Sequence, residues 1–429
     1  MKIINATLVL IFCLSAGIVS AAQPLTFIYS GNLDGELEPC GCSDEGNLGG
    51  IKRRATLLDQ LRAETPGLVA ISAGGLLSAD GPGDRLKGEY ILKGYATLGY
   101  DAVGVQWRDL AFGVDFALQK SLPWVAGNWH DERIARHKRI RRGAGDIAFF
   151  SWLSPEDSPL RDMQGEHALV NADAPALAQA VNAAKREGAL TVLSTTLPAE
   201  AAAKLVDLAQ VDILIERAGY EVYAEPRQMG RTLVLKPGSR GMRLGRLDLE
   251  WADGRIVRWT HAVLPMPESM PDAPRLSAWY EEYNAKVKAD YLQRVELRKQ
   301  QSSGESPFVG EEVCQSCHAA QHKVWAGSEH AKAYGDLENV NKAFDPACIG
   351  CHTVGFEKPG GFLDMNITGH LLNVQCESCH GAGRQHVAAA GKAPLVNADW
   401  APEQMCAQCH TQPHSPGFDF KRYWPKIAH

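Results

Sequence analysis

Between residues 24 and about 265, short apolar runs alternate with stretches of helical spacing. Residues 25–30 read as a strand, residues 50–62 carry Ile51, Leu57, Leu58 and Leu61 at helical intervals, and residues 67–73 are strand-like again. Farther on, 90–98 predicts a helix, 102–105 a short strand, 174–188 a helix, 190–194 a strand, 200–208 a helix and 211–215 a strand. This order predicts an α/β domain built on a largely buried sheet. The pattern then changes. Residues 245–251 and 255–263, joined by Ala252-Asp253-Gly254, read as a β-hairpin with a D-G turn.

A passage rich in proline follows (Pro265, Pro267, Pro271, Pro274). After it, residues 275–301 predict a polar helix with Tyr280, Tyr283, Val287 and Tyr291 along one side, a strut between domains or a dimer seam. Ser302 to Pro307 forms a flexible-looking joint. The chain thus divides into residues 23–268, a helical linker at 269–307, and a third segment at 308–429. This last segment has few long aliphatic clusters, too few to bury a sizeable core by itself.

It does carry four copies of one motif: Cys314-x-x-Cys317-His318, Cys348-x-x-Cys351-His352, Cys376-x-x-Cys379-His380 and Cys406-x-x-Cys409-His410. C-x-x-C-H is the attachment signature of c-type haem. Two thiols about one helical turn apart can each form a thioether to a haem vinyl group, and the adjacent histidine is placed as proximal iron ligand. Paired C-x-x-C units also hold zinc, but zinc does not require a histidine after every second cysteine, and all four copies have one. The expected cofactors are therefore four c-type haems. Their large apolar faces supply what the segment lacks, so residues 308–429 are expected to be disordered without haem. The four motifs occupy residues 314–410, so neighbouring haems should approach closely.

The first residues agree with this chemistry. Lys2, an apolar run from Leu8 to Val19, and Ser20-Ala21-Ala22 read as a signal peptide over residues 1–22, with Cys13 removed along with it. The run is short for a membrane span, and no later stretch approaches that length. The reading is an exported, periplasmic protein without stable membrane insertion, working with a redox partner protein and with its oligomeric state open. A formal net charge of −6 gives no hint of nucleic-acid binding. Of eleven cysteines only Cys40 and Cys42 remain unexplained, which excludes a disulfide framework. That C-x-C pair is either inert or a redox-active or metal-binding site. The basic run Lys138, Arg139, Arg141 and Arg142 reads as a solvated turn.

The last segment also resembles a known family. Cys314-Gln-Ser-Cys-His318 with Trp325-Ala-Gly-Ser-Glu-His330-Ala, Cys348-Ile-Gly-Cys-His352-Thr-Val-Gly355, Cys376-Glu-Ser-Cys-His380-Gly-Ala-Gly-Arg-Gln-His386 and Cys406-Ala-Gln-Cys-His410-Thr are similar to the motifs of the cytochrome c554 family of tetrahaem proteins. The resemblance implies His330, His370 and His386 as distal ligands. The family also includes members with one open, five-coordinate iron, whose counterpart here would be the one on Cys348, Cys351 and His352. The tail from Phe418 to His429 departs from the family; its His429, or secondarily His414 before it, could cap that iron.

The first domain is similar to the 5′-nucleotidase and calcineurin-like metallophosphoesterases in Ser30-Gly-Asn-Leu-Asp-Gly-Glu-Leu-Glu-Pro39, Gly49-Gly-Ile-Lys-Arg-Arg-Ala55, Gly99-Tyr-Asp-Ala-Val103 with Phe112-Gly113, and Gly241 to Leu249. The resemblance implies a metallophosphoesterase-like sandwich, followed by a mainly α, haem-packed cytochrome domain. That family uses two metals about 4 Å apart. Asn32, Asp34, Gly75, Gln106 to Asp109, Thr195 and Arg217 to Tyr220 stand where its ligands would fall, so its metal chemistry is not expected here. The reading that follows is a multihaem electron carrier. The alternatives are a multihaem oxidoreductase acting on a small nitrogen or sulfur compound and, less supported, a metallophosphoesterase.

Overall fold

The computed structural model describes residues 22–429 except 41–46, 82, 130, 143–144, 160–169, 171–173, 220–222, 253, 302–303, 412–413 and 416. The signal-peptide reading and Cys42 fall outside the described residues.

Two six-stranded sheets form the first domain. One runs, edge to edge, Arg255–Pro265, Arg243–Ala252, Gln23–Ser30, Val69–Ser72, Ala102–Gly104 and Trp124–Val125. The other runs Arg227–Met229, Thr232–Leu235, Ile213–Ile215, Leu190–Thr195, Gly145–Trp152 and His137–Arg142. The predicted hairpin forms the antiparallel edge of the first sheet, and Gln23–Ser30 pairs in parallel with Val69–Ser72, Phe27 opposite Val69. Phe27, Tyr29, Val69 and Ile71 of one sheet share a buried cluster with Phe149, Val192, Ile213 and Leu233 of the other. The two sheets therefore pack face to face, and helices cover both outer faces. Strands buried on both faces read as near-continuous apolar runs, which is why their positions were legible.

Two expectations change. The helix expected over 200–208 shrinks to Ala199–Ala202 and a separate turn, Leu208–Gln210. The basic run is not a turn but the edge strand His137–Arg142, with Ile140 turned inward and Arg139 paired with Asp146 and Glu187. Charged side chains on an edge strand block pairing with other chains.

At the carboxyl ends of the first sheet's strands, the Asp109 carboxylate accepts N–H bonds from Gly75 (2.8 Å), Leu76 (2.6 Å) and Gln106 (2.9 Å). It is fully buried. Burial pushes its pKa up to about 6 against the opposing effect of those three bonds. The folded protein then holds a proton that the unfolded chain has already released. Stability is expected to fall as pH rises from about 4 to about 6, by up to about 3 kcal/mol. Urea melts across that range should show the slope in the parent and a flatter profile in Asp109→Asn.

The helix Ser277–Gln301 is packed, not free. It buries Tyr283, Val287, Tyr291 and Val295, four residues apart on one face, each worth roughly 1.5–3 kcal/mol. Its start is tied to the first domain by Trp279 Nε1 to the Tyr90 carbonyl (3.0 Å) and Tyr90 Oη to Glu282 (2.6 Å). Farther along, Tyr291 Oη donates to the Leu363 carbonyl (2.8 Å). Phe308, Tyr334, Leu337, Phe344, Ile349, Val354, Phe362, Leu363 and Leu371 join this helix and the first domain in one continuous apolar cluster. The first half of residues 308–429 therefore has a buried apolar core, shared with the helix and the first domain.

Candidate functional site

Short helices present the motifs: Glu311–Gln315 ends one residue after Cys314, while Pro346–His352, Cys376–His380 and Pro402–Cys406 carry the others or lead into them. In the first and fourth motifs the histidine N–H reaches back to the first cysteine's carbonyl, 2.9 Å in both. Asp345 caps the second-motif helix by accepting from Ala347 N at 3.1 Å, and Pro346 starts it. None of the eight motif cysteines is in a disulfide.

The thiols meet across motifs. A hydrogen bond between the Cys314 and Cys376 thiols lowers the Cys376 pKa to about 7. A hydrogen bond between the Cys409 and Cys351 thiols has the same effect on Cys351. The first motif therefore abuts the third, and the second abuts the fourth.

Three pairs of histidine rings face one another: His318 with His386 (6.1 Å between ring centres), His330 with His410 (6.2 Å) and His380 with His429 (5.9 Å). An iron between two imidazole nitrogens, at a metal–nitrogen distance of roughly 2 Å, sets ring centres about 6 Å apart. The Nδ1 atoms of His352, His386 and His429 contact the carbonyls of Ala333 (2.5 Å), Ala393 (2.7 Å) and Ile427 (2.8 Å). A carbonyl only accepts, so each Nδ1 carries the proton and each Nε2 keeps its lone pair for a metal. Burial first, and neighbouring histidines second, lower the pKa of His330, His380 and His410, which favours the neutral, ligating form. A cavity of about 560 Å³, lined by Cys314, His318, Trp325, Cys376, His380 and His429 among others, lies between the first and third motifs. Donor set, ring spacing and cavity fit haem.

The other expected ligands differ. His429 faces His380, not His352. His370 is exposed, its ring beside Gly310, and is not among the facing pairs. His414 is exposed and contacts Thr411, and His322 is bonded to Glu311. Sequence spacing locates histidines but not the direction in which a loop returns them.

Several positioning residues were not anticipated. Glu377, buried inside the third motif, accepts from Val309 N (2.9 Å), Gly310 N (2.9 Å) and Gly383 N (2.7 Å). Asn397 donates to the Cys379 carbonyl (2.8 Å), and Gln375 binds the carbonyls of His370 and Leu372. The only available signal was a carboxylate inside C-E-S-C-H, which by itself has no spacing to interpret.

Residues 313–381 match the family model described as cytochrome c554 and c-prime. The chain is also 40% identical over 100 residues to cytochrome c-554 of Nitrosomonas europaea, covering 20% of this chain and 43% of that protein. The C-terminal part is a cytochrome c554 domain. The family's cofactors are c-type haems, in agreement with the donors above. The match spans less than half the length of that relative.

In front of the cytochrome c554 domain, the fold is that of the 5′-nucleotidases and calcineurin-like phosphoesterases. A 5′-nucleotidase precursor from Thermus thermophilus superposes with a TM-score of 0.53 at 17% identity, covering 74% of this chain and 68% of that one. The sulfate thiohydrolase SoxB of the same organism gives 0.53 at 17%, covering 67% and 63%. The calcineurin-like phosphoesterase YfkN of Bacillus subtilis gives 0.50 at 13%, covering 62% and 98%.

The residues do not fit that fold's metals. Gln106 Nε2 donates to Asn32 Oδ1 (2.8 Å) and to the Ala73 carbonyl (2.9 Å), and Asp34 is held by Arg108 and by the Arg240 N–H (3.0 Å). Gly75 has a φ of +69°, and a Cβ there would lie 2.7 Å from the Asn32 side chain, leaving no room for a bridging carboxylate. No group of three or more His, Cys, Asp or Glu suited to a metal occurs among the described residues. Cys40 lies in the two-residue strand Pro39–Cys40, and its side chain, like all of Cys42, is outside what is described.

Proposed function

We propose that this chain is a periplasmic multihaem electron carrier with four covalently attached haems, passing electrons to a redox partner protein. The three facing histidine pairs support it most directly. When bound, haem supplies a one-electron iron couple. The motif cysteines would attach it, the pairs His318–His386, His330–His410 and His380–His429 would hold iron at three sites, and burial favours the neutral form of His330, His380 and His410. Cysteines of different motifs lie side by side, which sets neighbouring sites close and favours passage along the set. The phosphoesterase-like domain serves as platform and cover, not as a hydrolase.

A second reading has its own observation. His330, His386 and His429 are each committed to another proximal histidine, which leaves His352 outside the facing pairs. An open iron there would permit reaction with a small nitrogen or sulfur compound.

Intact mass and electron paramagnetic resonance of the oxidised holoprotein test both readings. Four haems with three low-spin signals, and a high-spin signal indifferent to nitrite, hydroxylamine and nitric oxide, are expected of the carrier. A high-spin signal that shifts with those compounds selects the oxidoreductase. Fewer than four covalent haems overturns the tetrahaem assignment.

A further inference from the structure

The two domains meet at a charge cluster that neither fold explains. Lys342 is 6% exposed, and its ammonium reaches Glu38 Oε1 at 2.7 Å, Asn284 Oδ1 at 2.8 Å and Asp345 Oδ2 at 3.5 Å. Its three donors are thus all directed to acceptors. Glu38 comes from the phosphoesterase-like domain, where the Tyr280 hydroxyl also donates to it. Asn284 and Tyr280 come from the connecting helix, and Asp345 caps the helix that carries Cys348, Cys351 and His352. The ammonium also lies over the rings of Tyr280 (5.3 Å) and Tyr283 (5.4 Å). Burial opposes the charge on Lys342, but Glu38 and Asp345 outweigh it and hold its pKa above the ordinary lysine value. Tyr283 is buried and adjoins Cys348. Burial, then Asp345, Glu38, Tyr280 and Cys348, push its pKa up, so it stays neutral.

A lysine and two carboxylates, largely withdrawn from solvent beside one attachment motif, form a fixed electric field. Among the four motifs, only the second has its helix capped by a member of this cluster, Asp345. Reduction adds one negative charge at the iron. A nearby anion disfavours that step and a nearby cation favours it, and low local polarity keeps the interaction strong.

We propose that Glu38 and Lys342 are positioning residues that set the reduction potential of the haem on Cys348, Cys351 and His352, so that the phosphoesterase-like domain tunes one haem of the set. This rests on the reading that haem is attached at that motif. Without Glu38, the potential of that haem rises. Without Lys342, it falls. A purely structural role predicts no such opposition of sign.

Spectroelectrochemical titration of the purified holoprotein tests this in Glu38→Gln, Lys342→Met and the double variant. One reduction step of the set is expected to move up in E38Q, down in K342M, and back toward the parent in the double variant, with the other steps in place. Unmoved potentials, shifts of one sign in both single variants, or equal shifts of every step overturn the proposal. Should K342M fail to mature, E38Q carries the test alone, since its side chain is partly exposed and lies outside the cytochrome domain. Intact mass separates the two levels: a parent lacking the haem at Cys348 and Cys351 overturns the attachment reading, and full mass with unmoved potentials overturns only the tuning.

Discussion

Produced without haem attachment, the chain is expected to resist protease through about residue 371 and to be digested beyond it. The boundary follows from where apolar side chains are buried. Leu371 is the last fully buried apolar residue of the apolar cluster that runs from the first sheet through the helix Ser277–Gln301 into the cytochrome domain. After it, the buried side chains among the described residues are polar: Gln375, Glu377 and Asn397. Hydrogen bonds of that kind contribute only about 1 kcal/mol each, net, and do not offset roughly 1–2 kcal/mol of chain entropy per residue. The third and fourth motifs therefore depend on the cofactor for their order, while the second does not. Limited proteolysis with mass mapping of the haem-free protein checks this. Resistant fragments reaching past the fourth motif, or cleavage throughout residues 308–371, would contradict it.

His429→Ala is expected to convert one low-spin haem of the set to high spin, while His370→Ala changes no spin state. The first change removes the ring facing His380 at 5.9 Å, whose Nδ1 is held by the Ile427 carbonyl at 2.8 Å. The second alters an exposed side chain. Spin quantitation in the oxidised state reads both directly. If His370→Ala creates the high-spin signal and His429→Ala leaves the spectrum alone, the ligand pairing drawn from ring geometry fails.

The extent to which the sequence disclosed this molecule depended on how local each signal was. Strands such as Gln23–Ser30 and Leu190–Thr195, and the hairpin Arg243–Ala252 with Arg255–Pro265, were legible because burial on a face writes its own period into neighbouring residues. C-x-x-C-H was legible because thioether geometry fixes its spacing. The departures from the phosphoesterase ligand pattern were also legible, residue by residue, at Asn32, Gly75 and Gln106. What failed was non-local. His429 lies 49 residues from His380, and no spacing rule relates a chain end to the ring it will face. His137–Arg142 looked like a turn because its charges outnumber its single inward residue, Ile140. Lys342 and Glu38 were invisible as a pair, since they belong to separate folds and stand far apart in the chain.

The thiol contacts between motifs also bear on how the protein is made. Cys314 lies beside Cys376 and Cys351 beside Cys409 in the folded arrangement, so a chain that reaches it with thiols still free brings two motifs' cysteines together. Loss of two electrons and two protons from either pair would join two motifs by a sulfur–sulfur bond and remove one anchoring thiol from each. Compactness thus makes the newly made chain vulnerable to oxidation. Its maturation has an order imposed on it: reductant first, then attachment, with the third and fourth motifs protected last because nothing but cofactor holds them in place.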